Sequence, residues 1–350
     1  MPIFLSASLR SFFARLALAS LALASAATGS LAGNSVNIYS YREPKLIDPL
    51  LQAFTAQTGI ETNVVYSNAG LIERMAAEGA NSPADVLLTN EFGWLSQAVA
   101  AGVTAAGATD TITQAVPAEL RDPNGHWIAL TRRARIVYAS KERVKQDSIT
   151  YEELADPKWK GKICIRSGQH TYNTAMIASM IANIGEEKTE AWLTGLRANL
   201  ARKPAGGDRE QVRDVHAGLC DIAIGNTYYM AAMLKSPEQR PWADAVKMLF
   251  PNAEGRGVHV NISGMARAAH APNGENATKL MEFLVSKEAQ KLYAEVNGEY
   301  PVVPGVPASE LVSSWGPLKA DPLPLSRIGE LRKKASEMVD RVRFDQGPNS

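Results

Sequence analysis

The chain has 350 residues, 45% of them apolar and 21% charged. These values leave room for two ordinary domains with real cores and exclude wholesale disorder. A formal charge of +1 gives no general reason to expect nucleic acid or an anionic membrane as partner. Two cysteines and five histidines, with no CxxC or HExxH spacing, argue against the common zinc sites.

Residues 1–32 read as an export signal and not as part of the fold. Arg10 and Arg15 form a positive start, Leu16 to Ala27 is a run of Leu, Ala and Ser, and Ser30-Leu31-Ala32 offers a small-x-small cleavage site before Gly33. The run is short for a bilayer span, and no later stretch reaches the ~18 apolar residues required. An uncleaved N-terminal anchor is the alternative. Cleavage removes two arginines, so the formal charge becomes +1 − 2 = −1. Export to the periplasm places Cys164 and Cys220 in an oxidising compartment, where one disulfide is expected and two buried thiols are the alternative.

The mature chain opens with a strand at 35–40, alternating polar and apolar. Leu46, Ile47, Leu50, Leu51 and Phe54 then recur at helical spacing, with Gly59 as a stop signal. A strand at 60–66, a helix at 71–78 closed by Gly79, an apolar strand at 84–89 and a helix at 94–101 follow. Such alternation predicts a parallel α/β sheet with helices on both faces. The pattern restarts with an extended stretch at 127–138 around three arginines, a strand at 162–165, helices at 174–184 and 187–200, a strand at 221–225 and a helix over 227–234. Residues 258–265 are extended again, 276–297 read as two helices returning to the first lobe, 301–324 is a Pro-rich surface stretch, and 328–342 is a last amphipathic helix. The expectation is one lobe from 33–131 and 258–350 and a second from 132–257. The chain then crosses between lobes more than once, as in a hinged clamp whose ligand lies in the cleft.

Three places carry chemistry. Tyr228-Tyr229 follows a strand and opens a helix, and open α/β sheets bind ligands at the carboxyl ends of such strands. Helical neighbours point about 100° apart, so at least one of the pair faces the cleft. Taken alone, a tyrosine dipeptide is more often a half-buried aromatic pair. Tyr172 holds the equivalent place in the preceding strand–loop–helix unit, and Tyr39-Ser40-Tyr41-Arg42 ends the first strand of the other lobe. Ferric iron is small, hard and trivalent, and prefers anionic oxygen. A free phenol, with a pKa of ~10, is a poor ligand at neutral pH until such an ion drives its deprotonation. Three phenolates offset the charge, and an arginine holds an oxyanion that completes the coordination. Arg42 and Arg133 are the candidates, with Arg135 next; an ion-paired or solvated strand face is the plainer reading of Arg132, Arg133 and Arg135.

Tyr39-Ser40-Tyr41-Arg42, Pro83-Ala84-Asp85-Val86, Thr131-Arg132-Arg133-Ala134-Arg135, Cys164-Ile165-Arg166-Ser167, Gly225-Asn226-Thr227-Tyr228-Tyr229 and Glu299-Tyr300-Pro301-Val302 together resemble the bacterial periplasmic ferric-iron-binding proteins of ABC importers. The resemblance covers roughly residues 35–306, and the tyrosine pair with its upstream partner is its specific part. It implies an α/β, two-lobed periplasmic-binding-protein clamp of type 2, with parallel-rich sheets flanked by helices and a hinge between the lobes. It implies Tyr172, Tyr228 and Tyr229 as ligands of Fe3+, with Tyr41 as a further candidate. Arg42 and Arg133 then make the anion or closed-cleft contacts, with carbonate or another small anion as synergistic anion. The implied partner is an ABC-type permease of the inner membrane, served by a monomer that is not an enzyme. Where some members carry a ligating His-Tyr after the first-strand arginine, this chain has Glu43 and Pro44. A receptor for a small organic solute (polyamine, thiamine or phosphonate) is the runner-up, with an iron-dependent enzyme on the same fold behind it. No nucleophile–base pair, phosphate loop or two-histidine, one-carboxylate set supports the enzyme.

Overall fold

The computed structural model describes residues 33–348. The expected export signal at 1–32 lies outside the described residues.

Among these residues ten strands form one connected sheet: β1 (Ser35–Ser40), β2 (Glu61–Tyr66), β3 (Val86–Thr89), β4 (Thr104–Ala105), β5 (Ile128–Ser140), β6 (Ile163–Cys164), β7 (Ile222–Asn226), β8 (Val246–Leu249), β9 (Val260–Ala268) and β10 (Tyr300–Pro301). The order is β2-β1-β3-β9-β5-β7-β6, with β4 on β9 and with β8 and β10 on β5. Three pairs are parallel, β1 with β2, β1 with β3 and β6 with β7. Helices supply their crossovers, as parallel pairing requires: Pro44–Thr58, Leu71–Glu78, and the trio Thr171–Ile184, Glu186–Ala198 and Asp208–His216. The stop signals act as glycines past helix ends do, Gly59 at φ +69° and Gly79 at φ +54°.

The two long extended stretches are antiparallel and lie in the middle of the sheet. The first half of β5, Ile128 to Ala134, pairs with β9, and its second half, Arg135 to Ser140, pairs with β7 and β8. One strand of 13 residues, about 44 Å at ~3.4 Å per residue, thus belongs to both ends of the molecule. Buried apolar side chains fall into two clusters. One takes residues between 36 and 130 and between 262 and 303; the other takes residues between 134 and 258 and between 328 and 344. The helices Gly274–Leu284 and Lys287–Asn297 return to the first cluster as expected.

Helix Leu325–Arg341 falls in the stretch expected to join the first lobe, yet its Ile328, Leu331, Ala335, Met338 and Val339 are buried in the second cluster. Periodicity identifies an apolar face but not the core that receives it. The pattern also missed helix Asp208–His216, whose buried residues include Asp208, Gln211 and Asp214 beside only two valines. Cys164 and Cys220 form a disulfide with Cα atoms 5.8 Å apart, tying β6 to the entry of β7. No described helix is long and apolar enough to cross a membrane.

Candidate metal centre

Strands β6 and β7 are parallel neighbours, so the loops leaving their carboxyl ends emerge on one side. The first leads into helix Thr171–Ile184, with Tyr172 in the opening turn. His170 caps that helix, its Nδ1 accepting the Tyr172 N–H at 3.2 Å. The second leads into helix Tyr228–Lys235, opened by Tyr228 and Tyr229. The three hydroxyl-bearing rings meet: Tyr172 Oη lies 3.2 Å from Tyr228 Oη, and the Tyr228 and Tyr229 ring centroids are 4.2 Å apart. All three line a cleft of about 350 Å3, whose other walls include Tyr41, Arg42, Asn90 and Glu299.

Burial pushes the Tyr228 hydroxyl well above the ordinary phenol value, helped by the neighbouring Tyr172 and Tyr229 and opposed by Arg133. Burial likewise raises Tyr229, with Arg166 pulling the other way. Both tyrosines sit at a helix N-terminus, where the helix dipole favours a phenolate once one forms.

Three guanidinium groups surround the Tyr172 ring: Arg166 at 5.4 Å, Arg133 and Arg135 each at 5.9 Å from its centroid. Two of them are spoken for. Arg135 and Arg166 donate to the fully buried carboxylate of Asp208, which also accepts the Asn226 N–H at 2.9 Å. Burial alone would raise the Asp208 carboxyl; Arg135 and Arg166 instead hold it below the usual range. Arg133 is different. It is 1% exposed, and its Nε and Nη1 have no hydrogen-bond partner among the described residues. A buried cation with two unpartnered donor nitrogens, beside three phenols, has the chemistry to hold a small anion.

The remaining expected residues have other partners. Arg42 reaches the cleft wall but is committed to Glu299 at 2.8 Å, both side chains being buried. Burial opposes its charge, and the Glu299 carboxylate outweighs that and raises its pKa. Tyr41 stacks on Trp94 at 4.6 Å, and its hydroxyl oxygen accepts the N–H groups of Leu71 and Ile72 at 3.0 and 3.1 Å, capping a helix. Tyr39 donates to Glu78 at 2.9 Å. Glu43 is exposed and pairs with Lys45, while Pro44 starts a helix. Sequence reasoning missed Asp208, Arg166 and the capping role of His170. The readable signal for Asp208 was Gly207-Asp208-Arg209-Glu210, in which the Glu210 carboxylate accepts the Gly207 N–H at 2.9 Å. Among the described residues no three His, Cys, Asp or Glu side chains gather to hold a metal, so the phenol cluster is the oxygen-rich site on offer.

Two α/β cores sharing a crossing strand, with a polar cleft between them, define a periplasmic solute-binding clamp of type 2. Residues 81–316 match the bacterial extracellular solute-binding protein family, and the chain belongs to it. The iron uptake protein A1 of Synechocystis sp. is 43% identical over 311 residues, 88% of this chain and 86% of that one. A solved Bordetella ferric binding protein is 54% identical with a TM-score of 0.83, covering 89% of this chain and 99% of its own. A Trichodesmium protein solved in complex with iron and citrate ligands is 43% identical with a TM-score of 0.84, at the same coverage.

Proposed function

We propose that this chain captures ferric iron in the periplasm through the phenolates of Tyr172, Tyr228 and Tyr229 and delivers it to an ABC-type importer of the inner membrane. It is a carrier and not an enzyme. The observation that carries the reading is the meeting of three tyrosines beside Arg133, a buried arginine whose donors are unpaired. Relatives that bind iron support it. Arg133 holds a small oxyanion that completes the coordination, carbonate in the first instance; the citrate solved with the Trichodesmium relative is likewise an oxygen-donor anion. The two cores are the two lobes of the clamp. The first takes 33–131 and the stretch from 258 through β10; the second takes 132–257 together with helix Leu325–Arg341. They hinge where β5 and β9 run side by side, at Arg133–Ala134 and Val260–Asn261. A monomer suffices, since one chain supplies the whole site.

The test is iron titration of Tyr172→Phe, Tyr228→Phe and Tyr229→Phe, followed by the visible phenolate-to-iron band and a competing chelator. A group that merely supports a ligand is worth ~10–100-fold in affinity, so loss of a ligand costs more. Tyr41→Phe is milder, its hydroxyl being engaged as a helix cap. Wild-type affinity and an unchanged band in both Tyr228→Phe and Tyr229→Phe would remove the ferric site and favour an organic solute.

A further inference from the structure

The end of the chain is packed against the loop that presents Tyr172. Three groups of that loop converge on one carboxylate, Asp345. Ser167 Oγ donates to Oδ2 at 2.6 Å, the Gly168 N–H to Oδ1 at 2.6 Å, and the Gln169 N–H to Oδ2 at 3.4 Å. Gln169 adds a second grip, its Nε2 donating to Asp340 Oδ1 at 2.8 Å and its Oε1 accepting from Ser336 Oγ at 2.7 Å. The approach is close enough to require glycine: a Cβ on Gly168 would lie 2.8 Å from Phe344 Cδ1 and 2.9 Å from Val339 Cγ1.

The loop passes this constraint on to the tyrosine. Asn173, the next residue after Tyr172, donates from Nδ2 back to the carbonyls of Arg166 and Ser167 at 3.1 and 3.0 Å. His170 caps the Tyr172 N–H. The terminal turn is itself fixed, Arg197 donating to the Val342 and Gly347 carbonyls at 3.0 and 2.8 Å. Charge-assisted bonds from one carboxylate to three successive residues hold a short loop more firmly than neutral contacts do. Tyr172 Oη stands 3.2 Å from Tyr228 Oη, and a ligand set held in place by the fold lowers the ordering cost of capture.

We propose that Asp345 is a positioning residue for Tyr172, and that the C-terminal helix and turn set the geometry of the metal site from behind. This inference rests on the reading of Tyr172 as an iron ligand. An asparagine at 345 keeps the size but loses the charge and one of the two accepting oxygens. The experiment is a double-variant cycle on the full chain: wild type, Asp345→Asn, Tyr172→Phe and the double variant, each titrated with ferric iron against a chelator with the visible band recorded. Asp345→Asn should weaken iron ~10–100-fold and shift the band, and Asp345→Glu should restore part of both. In the Tyr172→Phe background the same change should cost nothing further, because the ligand it places is gone. An equal loss in both backgrounds, or wild-type affinity and band in Asp345→Asn, overturns the proposal. Should Asp345→Asn fail to fold, Gln169→Ala runs the same cycle from an exposed side chain, with the same two outcomes deciding. Failure of the underlying reading looks different: wild-type protein without a ferric band, or Tyr172→Phe binding iron as wild type does.

Discussion

Iron capture by this site must expel protons, and their number is a measurable property of the geometry. Burial raises Tyr228 and Tyr229 above the ordinary phenol value. At every pH below about 10 the empty cleft therefore carries both as neutral phenols. Each must lose its proton to become a phenolate ligand. Iron binds the deprotonated form, so protons compete with it, and affinity rises with pH and falls on acidification across the whole neutral and acid range. Two protons released per ion make the loss about 100-fold for each pH unit, or ~2.7 kcal/mol at 1.36 kcal/mol per unit and proton. Each further phenol that ligates adds about tenfold. Between pH 7 and pH 5 the site loses at least about 10,000-fold. Calorimetric titration in buffers of different ionisation enthalpy counts the protons, with iron supplied as a chelate whose own proton balance is measured separately. Release of fewer than one proton per iron would refute the phenolate argument.

Arg133→Met should weaken iron ~10–100-fold and abolish the dependence of binding on added bicarbonate; a retained bicarbonate response would place the anion elsewhere. Arg332→Ala removes the partner of the fully buried Glu91 carboxylate, and stranding a buried charge costs ~3 kcal/mol in denaturant unfolding; a loss below about 1 kcal/mol would contradict the pairing, and Glu91→Gln in the same chain should recover most of the loss. Reducing Cys164–Cys220, which closes a separation of 56 residues, should lower stability by about 4 kcal/mol in the chain-entropy model, read as a shift in the denaturant midpoint.

The parts of this molecule legible in its sequence are those where one physical rule acts alone. Period-two alternation marks β1, and glycines past helix ends mark where Pro44–Thr58 and Leu71–Glu78 stop. The tyrosines were readable because connectivity, not contact, places them: β6 and β7 are parallel, so Tyr172 and Tyr228 leave from the same side whatever the packing detail. The illegible parts depend on a second element. Asp208 is a buried polar residue on a helix with little apolar signal, and its meaning appears only when Arg135 and Arg166 arrive from β5 and the loop after β6. The first strand shows a different limit. Tyr41 and Arg42 line the cleft, yet helix Leu71–Glu78 and Glu299 engage them, and no pattern within residues 39–42 records those partners.

The choice of phenol over carboxylate follows from the burial of the site. Three carboxylates in this cleft would start about six pKa units below phenols, so even with burial and mutual repulsion raising them they would give up protons far more readily, leaving desolvated negative charge with one unpaired arginine to answer it. Such a cluster would destabilise the empty protein and attract any abundant divalent cation. Phenols avoid both outcomes, because burial keeps them neutral until an ion strong enough to displace their protons arrives. A divalent ion gains less from each phenolate than a trivalent one, yet faces the same deprotonation cost, so the raised pKa values act as a threshold that favours ferric iron. The negative charge then appears together with the cargo and disappears with it. Arg133 fits the same logic from the other side. It weakens the hold on protons at Tyr228, and on the proposed reading it is neutralised when an anion enters with the metal. On that reading, capture and release depend on proton and anion exchange at one buried cluster.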